Sequence, residues 1–244
     1  MTEIPTVSRT AVVTGANSGI GKEVARRLIG AGFTVHVGSR NRERGLRAIE
    51  EIGCGAQLMM IDVTNLDSVG EAAERVGALD VLINNAGIMV DSKPPQEADL
   101  GSFRATYETN VFGVVAVTNA FLPSLSRSLH PRVVNISSGT GSLSWSTGPN
   151  PQFDFDTRGA AAAYRSSKAA LNALTVYYAQ ALADRGIKVN ALAPGLRSTN
   201  LNARASASNG DPAEAAAAVV RLALIDDDGP TGMFFSWDGS VAPW

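Results

Sequence analysis

The sequence predicts a single α/β domain, in which helices cover both faces of a doubly wound parallel sheet of about seven strands. Short, nearly continuous apolar runs alternate with segments of helical length along the chain, which is typical of strands buried on both faces. No internal repeat and no linker divides the 244 residues. We therefore expect residues 1–244 to fold as one domain with right-handed crossovers between its strands.

The strands are expected where apolar residues follow one another directly. They are Thr10–Thr14, Thr34–Gly38, Gln57–Ile61, Leu79–Asn84, Arg132–Ser137, Lys188–Ala193 and Met233–Phe235. Helical length and spacing between them predict Gly19–Gly30, Arg42–Ile52, Leu66–Val76, Asp99–Leu122 and Ala160–Ala183. A last helix is expected from Asp211 to Leu224. Asp211 can cap it, Pro212 needs no amide partner at its first position, and Glu214 completes a capping box.

Two stretches do not follow this alternation. Ser142 to Arg158 is rich in Ser, Gly, Pro and aromatic residues, and Leu196 to Gly210 is rich in Asn, Ser and Ala. Long irregular segments in a compact domain usually serve function. We expect an irregular insert near 142–158 and a substrate loop near 196–210.

Composition excludes several classes of function. A net charge of −2 gives no electrostatic reason to expect nucleic acid or an anionic membrane as partner. Apolar runs stay well below the ~20 residues that span a bilayer, and residues 1–9 do not resemble a signal peptide. The single cysteine, Cys54, favours a reducing, cytoplasmic location. His36 and His130 form no cluster of metal ligands, so no metal is expected.

A glycine-rich turn, TGANSGIG at 14–21, joins the first strand to the first helix. Gly15 permits a tight turn, Gly19 lets the backbone approach a pyrophosphate, and Gly21 allows close packing of helix and strand. The helix N-terminus offers free amides and a positive dipole to phosphates. A glycine-rich turn without a ligand is the alternative. The expected cofactor contacts in this turn are Gly15, Asn17, Ser18, Gly19, Ile20 and Gly21.

The end of the second strand indicates which dinucleotide binds. NAD(H) sites place an acidic residue there to accept hydrogen bonds from the adenosine ribose, whereas this chain has Ser39 and Arg40. Arg40 can pair with a 2′-phosphate and Ser39 can donate to it. We therefore expect NADP(H) rather than NAD(H). The alternative is that Arg40 is a solvated loop charge.

Further cofactor contacts are expected at the carboxyl ends of the next two strands, where open α/β sheets bind ligands. Asp62 and Val63 end the third strand, and Asn84, Ala86 and Gly87 belong to the NNAG segment after the fourth. The Asp62 carboxylate can accept from the adenine amino group, or it can cap the following segment.

Tyr164 and Lys168 lie four residues apart at the start of a predicted helix and therefore on one face. A nearby ammonium group lowers a tyrosine pKa from about 10. Such a shift would make Tyr164 a general acid and base near neutral pH. A Tyr/Lys pair at this spacing also occurs by chance.

The motifs together carry a family resemblance. In order they are TGANSGIG (14–21), NNAG (84–87), Asn110, NISS (135–138), YRSSK (164–168) and APG (193–195). From Thr10 onward the chain resembles the classical short-chain dehydrogenase/reductase family, in its carbonyl-reductase-like branch. The resemblance implies a single-domain Rossmann fold and hydride transfer between NADP(H) and a small-molecule carbonyl or alcohol.

The resemblance also implies a role for each catalytic residue. Ser138 would bond the substrate oxygen, and Tyr164 would donate its proton in reduction. Lys168 would hold the nicotinamide ribose and lower the tyrosine pKa. Asn110 would position a water for a proton relay, with bonding of the backbone at a helix bend as the alternative. Pro194, Gly195 and Thr199 match the segment that contacts the nicotinamide carboxamide.

One departure concerns the insert. Ser138 and Tyr164 are 26 positions apart, about twice the family's usual interval. Trp145, Phe153 and Phe155 could line an apolar substrate pocket, or could only anchor the insert. An insert at this place would cover the family's subunit interface, so we expect a monomer or dimer rather than a tetramer. Oxidation of an alcohol and a non-catalytic NADP(H)-binding regulator are the alternatives to carbonyl reduction.

Overall fold

The computed structural model describes residues 9–152 and 158–244. Its seven strands are Arg9–Val13 (β1), Phe33–Ser39 (β2), Ala56–Met60 (β3), Val81–Asn84 (β4), Arg132–Ile136 (β5), Lys188–Ala193 (β6) and Phe234–Ser236 (β7). They form one sheet in the order β3-β2-β1-β4-β5-β6-β7, and neighbouring strands are parallel. The expected doubly wound Rossmann sheet is confirmed. The strand order reverses at β1, beside β4, which opens a crevice at the carboxyl ends of the strands.

Helices connect the strands on both sides of the sheet. They are Gly19–Gly30 (α1), Arg42–Ile52 (α2), Leu66–Glu74 (α3), Leu100–Tyr107 (α4), Gly113–Leu125 (α5), Leu143–Thr147 (α6), Ala162–Ala181 (α7), Ala203–Ser206 (α8) and Pro212–Ala223 (α9). Short 3₁₀ turns cover Gly139–Gly141 and Ala183–Arg185. As the sequence predicts, the Asp211 side chain caps α9, accepting from the Ala213 amide at 2.8 Å. Across the two described ranges no helix is long and apolar enough to cross a bilayer.

Side chains that alternate along each strand enter two separate cores. Val13 packs with Leu28 of α1 and Val219 of α9 on one face of the sheet. Val12, the residue before it, packs on the other face with Phe121 of α5. Successive side chains of a strand point to opposite faces, so a continuous apolar run supplies both layers. The sheet is therefore held rigidly behind the crevice.

A π-helical turn interrupts the helix that the sequence predicts over Asp99–Leu122. The chain forms α4, then the π-helical turn Glu108–Phe112, and then α5. A π turn holds one residue more than an α turn. Apolar spacing alone does not reveal this change, because both segments beside the turn are helical.

The insert is attached to the last residue of the chain. Ser142 caps α6, accepting from the Trp145 amide at 3.1 Å. The main-chain carbonyl of Trp244 accepts from the Ser144 amide at 3.1 Å and from the Ser144 hydroxyl at 2.9 Å. The Trp244 ring stacks on Phe234 of β7, with ring centroids 5.5 Å apart. Phe153 and Phe155, expected at a substrate pocket, lie outside the described residues.

Candidate active site

A crevice of about 360 Å³ runs along the carboxyl ends of the strands. It brings together most of the residues that the sequence singles out. They are Gly15, Asn17, Ser18, Gly19, Ile20, Ser39, Arg40, Asp62, Val63, Ala86, Gly87, Tyr164, Lys168, Pro194 and Thr199. Five further expected residues, Gly21, Asn84, Asn110, Ser138 and Gly195, are not among the residues that line it.

The glycine turn has the geometry of a phosphate cradle. Gly15 and Gly19 have φ angles of +63° and +54°, which residues with a Cβ rarely adopt. A Cβ on Gly15 would lie 3.0 Å from the Ala86 backbone. Ser18 begins α1 without a side-chain cap, and the first turn of α1 carries no acidic residue. The first amides of α1 are therefore available to an anion.

Gly21 has a structural place behind this cradle. A Cβ there would collide with the Asn85 side-chain nitrogen and would lie 2.9 Å from the Gly15 carbonyl. Gly21 therefore allows the close packing of α1 that the sequence predicts. This packing is against the glycine turn, and Gly21 itself does not line the crevice.

Two arginines lie at one end of the crevice, where the sequence pointed to one. Arg40 and Arg44 both line the space beyond β2, together with Asn41. The Asn41 side chain caps α2, accepting from the Arg44 amide at 2.9 Å. The positive end of the α2 dipole and two guanidinium groups therefore act on the same region.

The expected donor role of Ser39 is wrong. The Ser39 side chain is buried, and its hydroxyl donates to the Asn41 carbonyl at 2.8 Å and accepts from the Asn41 amide at 3.2 Å. Its single hydrogen is used within the turn. Ser39 therefore shapes the turn that presents Arg40.

Asp62 caps the turn after β3 and also lies at the crevice. Its Oδ1 accepts from the amide and the hydroxyl of Thr64, at 3.0 and 2.8 Å, which caps the turn after β3. The residue also lines the crevice beside Val63. Capping therefore orients the carboxylate and leaves it at the crevice, and its contact with adenine stays a prediction.

The Asn84 side chain faces the core and does not line the crevice, although the sequence predicts a cofactor contact there. It is buried, and its amide group donates to Thr118 Oγ1 at 3.0 Å and to Asn135 Oδ1 at 2.9 Å. These bonds tie β4 to α5 and β5. The next residue, Asn85, lines the crevice instead, and its amide group donates to the Thr14 carbonyl at 2.8 Å.

Ser138 and Tyr164 meet beside the crevice. Ser138 follows β5, and its hydroxyl lies 2.9 Å from the Thr140 hydroxyl and accepts from the Thr140 amide at 3.2 Å. The Ser138 side chain is also close enough to the Tyr164 phenol to lower its pKa. Two hydroxyl groups are thus held together where a substrate oxygen can receive hydrogen bonds from both.

Lys168 lies one helical turn after Tyr164 and is 4% exposed. Its Nζ donates to the Ile136 carbonyl at 2.8 Å and lies 5.8 Å from the centroid of the Tyr164 ring. Burial lowers the pKa of Lys168 to about 8. The ammonium group is held at the base of the crevice, where it can donate to a bound hydroxyl group.

The pKa of Tyr164 differs from the sequence expectation. Burial raises the pKa of Tyr164 to about 12, and the nearby Ser138 side chain lowers it only in part. The expected decrease caused by Lys168 is wrong for the protein's own groups, because desolvation outweighs the distant ammonium group. Near neutral pH the phenol therefore keeps its proton.

Asn110 lies inside the π-helical turn and bonds protein groups on two sides. Its Oδ1 accepts from the Ile88 amide at 2.9 Å, and its Nδ2 donates to the Ile88 carbonyl at 2.9 Å. Nδ2 also donates to Ser167 Oγ on α7 at 3.0 Å. Both side-chain donors are thus used by the backbone and by α7, as the alternative reading of Asn110 anticipated.

The loop after β6 brings Thr199 over the glycine turn. A Cβ on Gly19 would lie 3.1 Å from the methyl carbon of Thr199. Gly195 faces away from the crevice, since a Cβ there would lie 3.0 Å from the Trp237 ring. Gly195 thus permits the loop to leave β6, while Pro194 and Thr199 line the crevice.

Comparisons with known proteins agree with this site. A model of the short chain dehydrogenase family matches residues 9–210. The short-chain dehydrogenase anuI of Penicillium roqueforti is 34% identical, with 93% of this chain and 96% of that protein aligned. The (-)-isopiperitenone reductase of Mentha piperita is 32% identical over 97% of this chain and 98% of that protein. The crystal structure of NADPH-bound carbonyl reductase from chicken fatty liver has a TM-score of 0.81 and 26% identity, covering 97% of this chain and 99% of that chain.

This chain belongs to the short-chain dehydrogenase family. A short-chain dehydrogenase is an oxidoreductase that acts on C=O and CH–OH groups, and here Tyr164 and Lys168 line the crevice with Ser138 beside Tyr164. The family assignment rests on the length of the match, which covers the sheet from β1 through β6 and both irregular segments.

Several residues of this short-chain dehydrogenase site were missed in the sequence. Arg44 lies in the first turn of α2, three positions after the capping Asn41, and a helix cap at Asn41 was the signal that could have found it. Thr140, two positions after Ser138, is a usual partner in a serine turn. Asn200 and Leu201 line the crevice beside Thr199, and no pattern in the sequence distinguishes them.

Proposed function

We propose that this protein is an NADP(H)-dependent carbonyl reductase of the carbonyl-reductase-like branch. The observation that carries the proposal is the layout of the crevice. It extends from Arg40 and Arg44, past the glycine turn, to Tyr164 and Lys168. Such a crevice suits a dinucleotide with an extra phosphate at one end and a reacting ring at the other.

The residues present fit the cofactor. Backbone amides at Gly19 and Ile20 would hold the pyrophosphate, and Arg40 with Arg44 would hold the 2′-phosphate. Lys168 would donate to the nicotinamide ribose, and Thr199 would contact the carboxamide. A bound nicotinamide supplies the hydride. The NADPH-bound carbonyl reductase structure among the similar proteins supports this choice.

The protein's own groups handle the substrate oxygen. Ser138 and Tyr164 donate hydrogen bonds to it and stabilise the negative charge that develops there. Tyr164 then transfers its phenolic proton to that oxygen. We further propose that the backbone of Asn110 positions a water for the proton relay through Lys168. The side chain does not do so, because both of its Nδ2 hydrogens are already donated to other groups.

The protonated phenol of Tyr164 is the form that acts as the acid in carbonyl reduction. With a pKa of about 12 the phenol is protonated near neutral pH and is ready to act as an acid. Oxidation needs the phenolate as base, which burial disfavours. The intact set of Ser138, Tyr164 and Lys168 at the crevice counts against a non-catalytic regulator.

The single cysteine, Cys54, is a free thiol, which supports a reducing cytoplasmic location.

A tyrosine substitution tests the catalytic proposal. NADPH oxidation is followed with a panel of ketones, aldehydes and quinones. We expect Tyr164→Phe to lower kcat about a hundredfold to ten-thousandfold, because the proton donor is lost. Tyr177→Phe is the matched control, because Tyr177 is exposed on the same helix. Wild-type turnover by folded, cofactor-binding Tyr164→Phe would contradict the proposal.

Arginine substitutions test the choice of cofactor. We expect Arg40→Ala and Arg44→Ala each to weaken NADPH binding about tenfold or more, because each removes a charge-assisted bond to phosphate. NADH binding should change little. Arg47→Ala, which removes an exposed arginine paired with Glu43 on α2, is the control. Equal losses for NADPH and NADH would refute the 2′-phosphate assignment.

A further inference from the structure

The loop from Leu196 to Gly210 is bonded mainly to itself. Its two ends meet where the Ser198 amide donates to the Gly210 carbonyl at 2.7 Å. Within the loop, the Ser206 hydroxyl donates to the Thr199 carbonyl at 3.0 Å. Loops of this length with adjacent ends and internal packing behave as compact units. The loop is therefore a small cap with a narrow base.

This cap lies over the cofactor crevice through modest contacts. Thr199 packs toward Gly19, and Asn200 and Leu201 line the crevice. The Asn202 amide group lies 3.0 Å from the Met89 sulfur, which is a weak acceptor. These contacts bring the cap against the crevice, and its base joins it to the rest of the domain.

Arg197 is the charged residue at that base, and it is 8% exposed. Its guanidinium carbon lies 4.3 Å from the centroid of the Trp237 ring. Its Nη2 lies 3.4 Å from the Glu214 carboxylate at the start of α9. Its Nε and Nη2 have no hydrogen-bond partner within the described ranges, so Glu214 acts on the guanidinium group as a nearby charge rather than as a hydrogen-bond acceptor. A cation stacked on an aromatic ring out of water is held more strongly than an exposed one.

The surroundings of Arg197 exclude a role in binding an anion. The acidic residues near its guanidinium group, Glu214 and Asp211, would repel one. Arg197 is also not among the residues that line the cofactor crevice. Its contacts instead join the base of the cap to α9 and to the residue after β7, both of which belong to the rigid part of the domain.

We propose that Arg197 is a positioning residue that anchors the cap 196–210 over the nicotinamide half of the crevice. The inference rests on the proposed function, because it takes the ligand to be a dinucleotide. The proposal divides the dinucleotide site into two parts. The adenosine part depends on Arg40 and Arg44, while retention of the nicotinamide part depends on a cap held by Arg197.

Two ligands test this separation. NADPH spans both parts, whereas adenosine 2′,5′-bisphosphate reaches the adenosine part alone. We expect Arg197→Met to raise the Kd of NADPH about tenfold, mainly through faster dissociation in stopped flow. The Kd of adenosine 2′,5′-bisphosphate should stay within about twofold of wild type. Arg197→Lys keeps the charge but not the planar stack, and should restore the NADPH affinity in part.

The control is Arg221→Met. Arg221 is exposed on α9 and donates to the Trp237 carbonyl at 3.1 Å without touching the cap. Arg221→Met should leave the affinities for NADPH and for adenosine 2′,5′-bisphosphate unchanged. Equal weakening of both ligands by Arg197→Met, or no weakening of NADPH, would overturn the proposal. If Arg197→Met does not fold, Trp237→Leu and Glu214→Gln must show the same selective loss of NADPH.

Failure of the NADP(H) assignment has a different signature. Wild-type protein would then bind NADPH no more tightly than NADH, and adenosine 2′,5′-bisphosphate no more tightly than ADP. The anchor is in that case judged with NADH and ADP. Weaker binding of NADH with unchanged binding of ADP in Arg197→Met would support the anchor. Equal weakening of NADH and ADP binding would overturn it.

Discussion

Replacing Lys168 with Met should change the pH dependence of folding stability. Burial lowers the pKa of Lys168 from 10.5 to about 8. The folded protein therefore binds this proton less tightly than the unfolded chain. At about 1.4 kcal/mol per pH unit, charged Lys168 destabilises the folded state by about 3 kcal/mol at pH 7. As pH rises from about 8 toward 10.5 this destabilisation disappears, so wild-type stability increases there.

The magnitude between two accessible pH values follows from those pKa values. At pH 9.5 the unfolded lysine is still largely charged and the folded one is neutral, which leaves a cost of about 1 kcal/mol. Lys168→Met has no such group. Its stability relative to wild type should therefore fall by about 2 kcal/mol between pH 7 and pH 9.5. The lost bond to the Ile136 carbonyl shifts both values equally.

Urea unfolding at several pH values from 7 to 9.5 measures this difference. Tyr164, whose pKa is raised to about 12, is present in both proteins and contributes equally. The control is Lys93→Met, since Lys93 is exposed and its removal should give a curve parallel to wild type. If the difference between Lys168→Met and wild type is independent of pH, the buried ammonium group does not have the assigned pKa and the reasoning fails.

Two further predictions concern packing and assembly. Gly21→Ala should lower the free energy of unfolding by about 1–3 kcal/mol, because the new Cβ collides with Asn85. Gly30→Ala on the same helix meets nothing within 4 Å and should not destabilise the protein in chemical denaturation. Phe112 and Tyr177, on the two helices that the resemblance places at the family's subunit interface, are 56% and 62% exposed, and the expected cover by the insert stays a prediction. We still expect a monomer or at most a dimer, which light scattering measures, and a stable tetramer would be incompatible with that proposal.

Strands and helices with a clear apolar period were predictable from the sequence, but the hydrogen-bond partners of individual polar side chains were not. The strands and most helices follow from apolar runs and caps such as Asp211. The choice between Asn84 and Asn85 depends on which side of a strand end faces the core, and identical neighbours give no signal. Ser39 was misjudged for a similar reason, because a hydroxyl can bond its own turn as readily as a ligand.

Arg197 shows a further limit of sequence reasoning. Beside Pro194 and Thr199 it looks like an ordinary loop charge, and the two residues that surround it are distant in the chain. Trp237 and Glu214 reach it only because α9 and β7 lie next to β6 in the fold. Because this contact joins residues from three separate elements, no local pattern in the sequence indicates it.

The π-helical turn at Glu108–Phe112 separates the position of Asn110 from the register of α5. An α turn holds 3.6 residues, and a π turn takes one more residue into the same stretch of helix. Removal of one residue from the turn would therefore restore a continuous α-helix without rotating α5, and Val117 and Phe121 would keep their places against the sheet. Asn110 would lose the wide turn that holds its side chain against Ile88. A deletion of a single codon here would therefore change the active site and leave the core as it is.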